Sequence, residues 1–193
     1  MRIILGSASP RRHQLLALIV RDFEVIVSDF KEIVTESKPT FVAVELAEQK
    51  ARAVCKLVGS EEEALIIGAD TIVFTGKILG KPQNIKEAFE MLKSLSDRTH
   101  TVVTGVCVKS SFTGVEKCFY SETKVEFVKL SEEVIWRYIN SGEPMDKAGA
   151  YGIQGMGARF IKSINGCYYN VVGLPVQKLS EVLESMGFCE LLP

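Results

Sequence analysis

Apolar and polar positions mark out the elements of this chain one after another. Residues 2–6 contain the apolar run Ile3-Ile4-Leu5, which predicts a buried strand. A helix is predicted over 10–20, with Leu15, Leu16 and Ile19 on one face, and a second strand over 23–27. The polar stretch 28–38 precedes Pro39, which suits the first position of a long helix reaching Val58, with Gly59 ending it. "ALIIGADTIVF" at 64–74 predicts a strongly apolar strand, and "TGK" at 75–77 a tight hairpin. Residues 84–96 have helical spacing, with Asn84 as the cap. "HTVVTGVCV" and "TKVEFVKL" predict two further strands separated by a Ser/Gly turn region, and Ser131 opens a helix over 131–140. The glycine-rich residues 142–157 predict a loop. A last strand over 158–164 and a last helix over 175–185 complete the pattern. Strands and helices alternate at first and strands then become consecutive, which predicts a mixed α/β sheet protein.

Composition narrows the picture. A length of 193 residues fits one domain, or one domain with a small lobe, and suffices for a substantial core. Lys and Arg total 23 against 24 Asp and Glu, which argues against broad nucleic-acid binding but leaves room for a local basic site. No apolar run approaches a membrane span, and the N-terminus shows no signal-peptide pattern. Cys55, Cys107, Cys118, Cys167 and Cys189 are odd in number and form no CxxC pair. They predict reduced thiols in a cytosolic protein, without a zinc site.

Four places carry candidate chemistry. In "GSASPRR" (6–12), Ser9 suits an N-cap and Pro10 the first helical position, so free N–H groups of the first turn face an incoming anion. Ser7 and Ser9 add hydroxyl donors, and Arg11 and Arg12 add planar guanidinium groups suited to phosphate oxygens. The alternative is a capped helix with two solvated arginines. This turn is not a Walker A motif, and "GKILGKP" (76–82) fails that pattern by spacing and by the proline after Lys81. Lys50 falls in the middle of the apolar face formed by Ala43, Leu46, Ala47, Ala53, Val54 and Leu57. There it needs a carboxylate or anion partner, or must snorkel to solvent. Asp70 ends "ALIIGAD", and a carboxylate finishing a buried apolar strand tends to point into a crevice, where it can hold Mg²⁺ and orient or deprotonate a water, or merely accept backbone bonds in a turn. Glu32 is a candidate second metal or water ligand, with a surface carboxylate as the alternative. Lys81 lies between Gly80 and Pro82, which can fix its direction; turn chemistry alone is the alternative.

In "EPMDKAGAYGIQG" (143–155), glycines permit close backbone approach to a ligand. Tyr151 offers a ring, and Gln154 a paired donor and acceptor for a base edge; a flexible loop is the alternative. His13 and His100 lack metal spacing and read as surface or capping residues, and Trp136 reads as core. An anion site, an inward lysine, a strand-end carboxylate and a glycine loop with an amide together suit a nucleoside triphosphate with a divalent metal.

"SASPRR", "GADTIV", "GKP", "HTVVTGV" and "GEPMDKAGAYGIQG" resemble the signature segments of the Maf family of nucleoside triphosphate pyrophosphatases, from residue 3 to about residue 180. The resemblance implies an elongated, twisted mixed sheet with flanking helices and a cleft between two lobes, similar to the inosine triphosphatase fold. It implies a single domain over 1–193 and a cytoplasmic homodimer. The activity it implies is hydrolysis of a nucleoside triphosphate to the monophosphate and pyrophosphate with Mg²⁺ or Mn²⁺. Ser7, Ser9, Arg11 and Arg12 match the family's phosphate-binding segment, and Glu32, Lys50, Asp70 and Lys81 its catalytic cluster, with Asp70 as proton acceptor. Arg11, Thr71 and Gln154 match positions linked to substrate choice in the dTTP/UTP subgroup; the 7-methyl-GTP subgroup has tryptophan in place of Arg11. The implied substrates are dTTP, UTP and modified pyrimidines such as 5-methyl-UTP and pseudo-UTP. A purine-directed pyrophosphatase and a nucleotide-binding regulator of cell division are the alternatives.

Overall fold

The computed structural model describes residues 1–59 and 63–192. Its strands are β1 (Arg2–Leu5), β2 (Glu24–Val25), β3 (Ala64–Phe74), β4 (Ile78–Leu79), β5 (Thr99–Ser110), β6 (Glu116–Phe127) and β7 (Ile161–Asn165). Its helices are α1 (Pro10–Leu16), α2 (Pro39–Val58), α3 (Ile85–Leu95), α4 (Glu132–Ile139), α5 (Tyr168–Val172) and α6 (Val176–Ser185). The strands form one sheet in the order β2-β1-β3-β5-β6-β7, with β4 paired to β3. β1 runs parallel to β2 and β3, whereas β3–β4 and β6–β7 are antiparallel, so the sheet is mixed as the sequence predicts. Among the described residues, no helix is long and apolar enough to cross a membrane.

Two compact units divide the chain. The first comprises Met1–Asp70, Thr104–Ser121 and Gly173–Pro193, and the second Thr71–Val103 and Glu122–Val172. In the first unit, Ala64 to Ala69 of β3 are buried without interruption, the pattern of a central parallel strand covered on both faces. Two glycines set the distance from sheet to helix. A Cβ on Gly68 would lie 2.2 Å from the Ala47 carbonyl oxygen, and one on Gly105 2.2 Å from that of Ala43. Only glycine at both positions lets α2 lie this close, and Ala43, Ala47 and Ala51 are the small residues it presents in return. Ile4, Val54, Ile66 and Cys107 complete this core. Leu57, predicted on the same face, is exposed in the last turn of α2, just before the chain leaves the helix at Gly59 (φ 79°). α1 is shorter than predicted. The N–H groups of Leu18 and Ile19 reach only three residues back, and Val20 pairs with Leu191.

Cys107 and Cys118 are disulfide-bonded, and Cys55, Cys167 and Cys189 are free. This corrects the expectation of five reduced thiols. The two cysteines lie on neighbouring strands joined by a short turn, with Cα atoms 4.0 Å apart, a pairing that a search for CxxC does not detect.

The second unit is built around Phe89, Leu92, Leu95, Phe127, Ile135, Tyr138, Tyr151 and Phe160. Asn84 and Ser131 cap α3 and α4, accepting from the N–H groups of Glu87 and Val134. Trp136 is not core: it is 41% exposed and stacks on Phe89 with ring centroids 4.6 Å apart. The predicted loop 142–157 contains short 3-10 turns at Glu143–Asp146 and Ala148–Ala150, and a third, Met156–Phe160, takes the start of the predicted last strand. α5 has no counterpart in the sequence reading. It is held from elsewhere in the unit, because buried Asn170 donates to the Val102 carbonyl and the Thr123 hydroxyl.

Candidate active site

The first unit brings most of the singled-out residues together. Ser9 caps α1, accepting from the Arg12 N–H at 3.5 Å, with Pro10 at the first helical position. The Ser7 side chain is buried and accepts from the Ser9 N–H at 3.3 Å. Arg12 does not project freely into solvent. Its Nε donates to the Gly173 carbonyl at 2.9 Å and a terminal nitrogen donates to Ser7 Oγ at 3.2 Å. These two bonds from one planar group fix the orientation of the guanidinium fork. Burial pushes the Arg12 guanidinium below its ordinary value, while Asp70 pulls it up, Arg11 pushes it down and Glu32 pulls it up.

Lys50 meets the requirement that its position on α2 imposes. Its side chain is 19% exposed, and its ammonium donates to Asp70 Oδ1 and lies 3.2 Å from Glu32 Oε1. Asp70 reaches it from the end of the buried run of β3, and Glu32 from the polar segment 28–38. One cation thus holds two carboxylates that arise from different elements. Among the described residues, no group of three or more His, Cys, Asp or Glu side chains could hold a metal by itself. The donor set of Asp70 and Glu32 nevertheless fits Mg²⁺. That ion prefers hard oxygens, keeps several waters, and is commonly held by one or two carboxylates plus substrate phosphates.

Thr71, Lys81 and Gln154 belong to the second unit. Thr71 follows Asp70 on β3 and is partly buried. Lys81 is exposed between Gly80 and buried Pro82, and the Gly80 carbonyl accepts from the Gly149 N–H at 3.0 Å, which ties this turn to the glycine-rich segment. Gln154 is exposed.

The glycines of that segment do a different job from the one expected. A Cβ on Gly155 would lie 2.4 Å from Glu143 Oε1, and one on Gly152 would lie 2.6 Å from the Lys147 side chain. They make room for side chains of the protein itself. The Glu143 carboxylate accepts from the Tyr138 hydroxyl at 2.8 Å, from the Met156 N–H at 2.8 Å and from the Gly157 N–H at 3.3 Å. The Gly152 N–H in turn donates to the Tyr138 hydroxyl at 3.2 Å. Tyr151 is buried, so its ring is not available to a ligand, and its hydroxyl lies 2.8 Å from His100 Nε2. His100 is likewise buried, a correction to the surface reading, and burial pushes it down to about 4. Gly173, Tyr138 and Glu143 carry no mark of these contacts in the sequence. Their roles depend on residues distant in sequence or on shared atoms, and no local pattern reports either.

A fold match over the whole length first defines the class. The chain resembles the solved HAM1 protein from Coxiella burnetii with a TM-score of 0.51 at 18% identity, covering 96% of this chain and 99% of that one. It is a mixed α/β protein of that architecture. The Maf-like protein family model then matches residues 2–186, and the chain belongs to that family. A dTTP/UTP pyrophosphatase from Clostridium botulinum (strain 657 / Type Ba4) is 50% identical over 189 residues, 96% of this chain and 97% of its own. One from Thermococcus kodakarensis is 49% identical over 187 residues, with the same coverage of both chains.

Proposed function

We propose that this chain hydrolyses dTTP, UTP and modified pyrimidine relatives such as 5-methyl-UTP and pseudo-UTP to the monophosphate and pyrophosphate, a house-cleaning activity on the nucleotide pool. The observation that carries the reading is the Lys50 ammonium held by both Asp70 and Glu32. The names of relatives about half identical over nearly the whole chain support it. A single catalytic domain over 1–193, a homodimer and a cytoplasmic setting come with the family resemblance and belong to the same proposal.

Ser7, Ser9, Arg11 and Arg12 bind the triphosphate, with Arg12 oriented by the Gly173 carbonyl. Asp70 and Glu32 would hold Mg²⁺ or Mn²⁺, which when bound supplies Lewis-acid polarisation of phosphoryl oxygens. Asp70 accepts the proton of a water whose oxygen forms a bond to the α-phosphorus. The bond from that phosphorus to the bridging oxygen breaks, and pyrophosphate leaves with the electron pair. Lys50, Lys81 and the two arginines offset the charge that develops on the phosphoryl oxygens. Thr71, Gln154 and Arg11 bear on which base is accepted.

Pyrophosphate release from a panel of pyrimidine and purine triphosphates, with and without Mg²⁺, tests this reading together with Asp70→Asn. The variant keeps the fold and loses about 10²–10⁴-fold in turnover, the usual worth of a general base. Unchanged turnover removes Asp70 from the chemistry. Preference for purines overturns the substrate assignment, and binding without pyrophosphate release overturns the enzyme.

A further inference from the structure

Segment 28–38 carries Glu32 yet forms neither helix nor strand. Backbone polar groups without secondary structure need other partners, and here side chains of α2 supply them. Gln49 Oε1 accepts from the Ile33 N–H at 3.0 Å, while Gln49 Nε2 donates to the Ile33 carbonyl at 2.5 Å. One amide thus pairs with both polar groups of one residue, as an adjoining strand would. One helical turn earlier, the Glu45 carboxylate accepts from the N–H groups of Thr35 at 3.0 Å and Glu36 at 3.2 Å, and from the Thr35 hydroxyl. Those bonds, the hydroxyl foremost, hold Glu45 below the usual carboxylate value. Lys50 follows Gln49, and it meets Glu32, which precedes Ile33. The contacts therefore run in antiparallel order, 36 and 35 on 45, 33 on 49, and 32 on 50.

The Glu32 side chain is 47% exposed, so packing does little to fix it. Its carboxylate is placed through its backbone, and the anchor nearest that backbone is Gln49. We infer that Gln49 is a positioning residue for Glu32, with Glu45 as the second anchor of a strap that holds segment 28–38 on α2 and sets the Glu32 carboxylate on Lys50. The inference rests on the reading of Glu32 as a functional carboxylate.

Gln49→Met tests it, because methionine keeps the length and helix propensity of glutamine and removes both hydrogen bonds. Supporting residues of this kind are worth about 10- to 100-fold in metal affinity or activity. The expected result is a fall of that size in kcat/KM for dTTP, a higher Mg²⁺ requirement, an unchanged Tm, and faster amide exchange at Ile33 and Thr35 in the metal-free protein. In a Glu32→Gln background, adding Gln49→Met then changes turnover no further, since both substitutions act on one carboxylate. Wild-type kcat/KM in Gln49→Met, unchanged amide exchange, or a full additional loss in the Glu32→Gln background overturns the positioning role. Wild-type turnover in Glu32→Gln alone overturns the role of Glu32, and the inference with it.

Discussion

Acid should unfold this protein earlier than its carboxylates alone require, because of one histidine. His100 on β5 is 2% exposed and lies edge-on to the rings of Phe127 and Tyr151. Its Nε2 meets the Tyr151 hydroxyl at 2.8 Å, and its Nδ1 has no hydrogen-bond partner among the described residues. Removal from water disfavours the imidazolium, which takes the group from 6.5 down to about 4. The unfolded chain restores the ordinary value, so between those two pH values the unfolded state binds more protons than the native state. The stability that neutral His100 permits is fully present above pH 6.5 and is lost as the pH falls toward 4. At about 1.4 kcal/mol per pH unit, the whole window is worth about 3.5 kcal/mol, of which about 2 kcal/mol is gone by pH 5. His100→Gln keeps a partner for the Tyr151 hydroxyl and cannot charge. Urea unfolding of both proteins at pH 7.5 and pH 5.0 isolates the effect, because the carboxylates contribute alike to each. The wild type should lose about 2 kcal/mol more than the variant between the two conditions. Equal losses would refute the burial argument.

Two further outcomes follow from the packing of α2 and from the first turn of α1. Gly68→Ala places a Cβ against the backbone of α2, so the helix that carries Lys50 must shift from the strand that carries Asp70; Tm and turnover should fall together, with a stability cost of about 1–3 kcal/mol by urea unfolding. Arg12→Lys keeps the charge but cannot bond the Gly173 carbonyl and Ser7 Oγ in one plane; kcat/KM for dTTP should fall about tenfold or more, and an unchanged value would mean that charge alone matters.

The long regular elements were legible in the sequence because their signals are local. α2, β3, α3 and α4 begin and end within a residue or two of the predicted positions, at Pro39, Asn84, Ser131 and Gly59. Lys50 was legible for the same reason, since a charge on an apolar helical face requires a partner, and Asp70 and Glu32 provide one. The rest depends on distant groups. Glycines at 152 and 155 suggested room for a ligand, but Lys147 and Glu143 fill the space, and nothing in their spacing says so. His100 carries a polar label and sits in an aromatic core because Tyr151 meets one of its nitrogens. α5 is five residues long and depends on Asn170 bonding to Val102 and Thr123. Gln49 looks like an ordinary solvated helix residue until segment 28–38 lies alongside it.

Hydrolysis of dTTP in oxygen-18 water tests the central claim most directly, with mass spectrometry of the products. Attack on the α-phosphorus predicts dTMP carrying one heavy oxygen and unlabelled pyrophosphate. Label in pyrophosphate, or formation of dTDP and labelled inorganic phosphate, would contradict the proposed reaction.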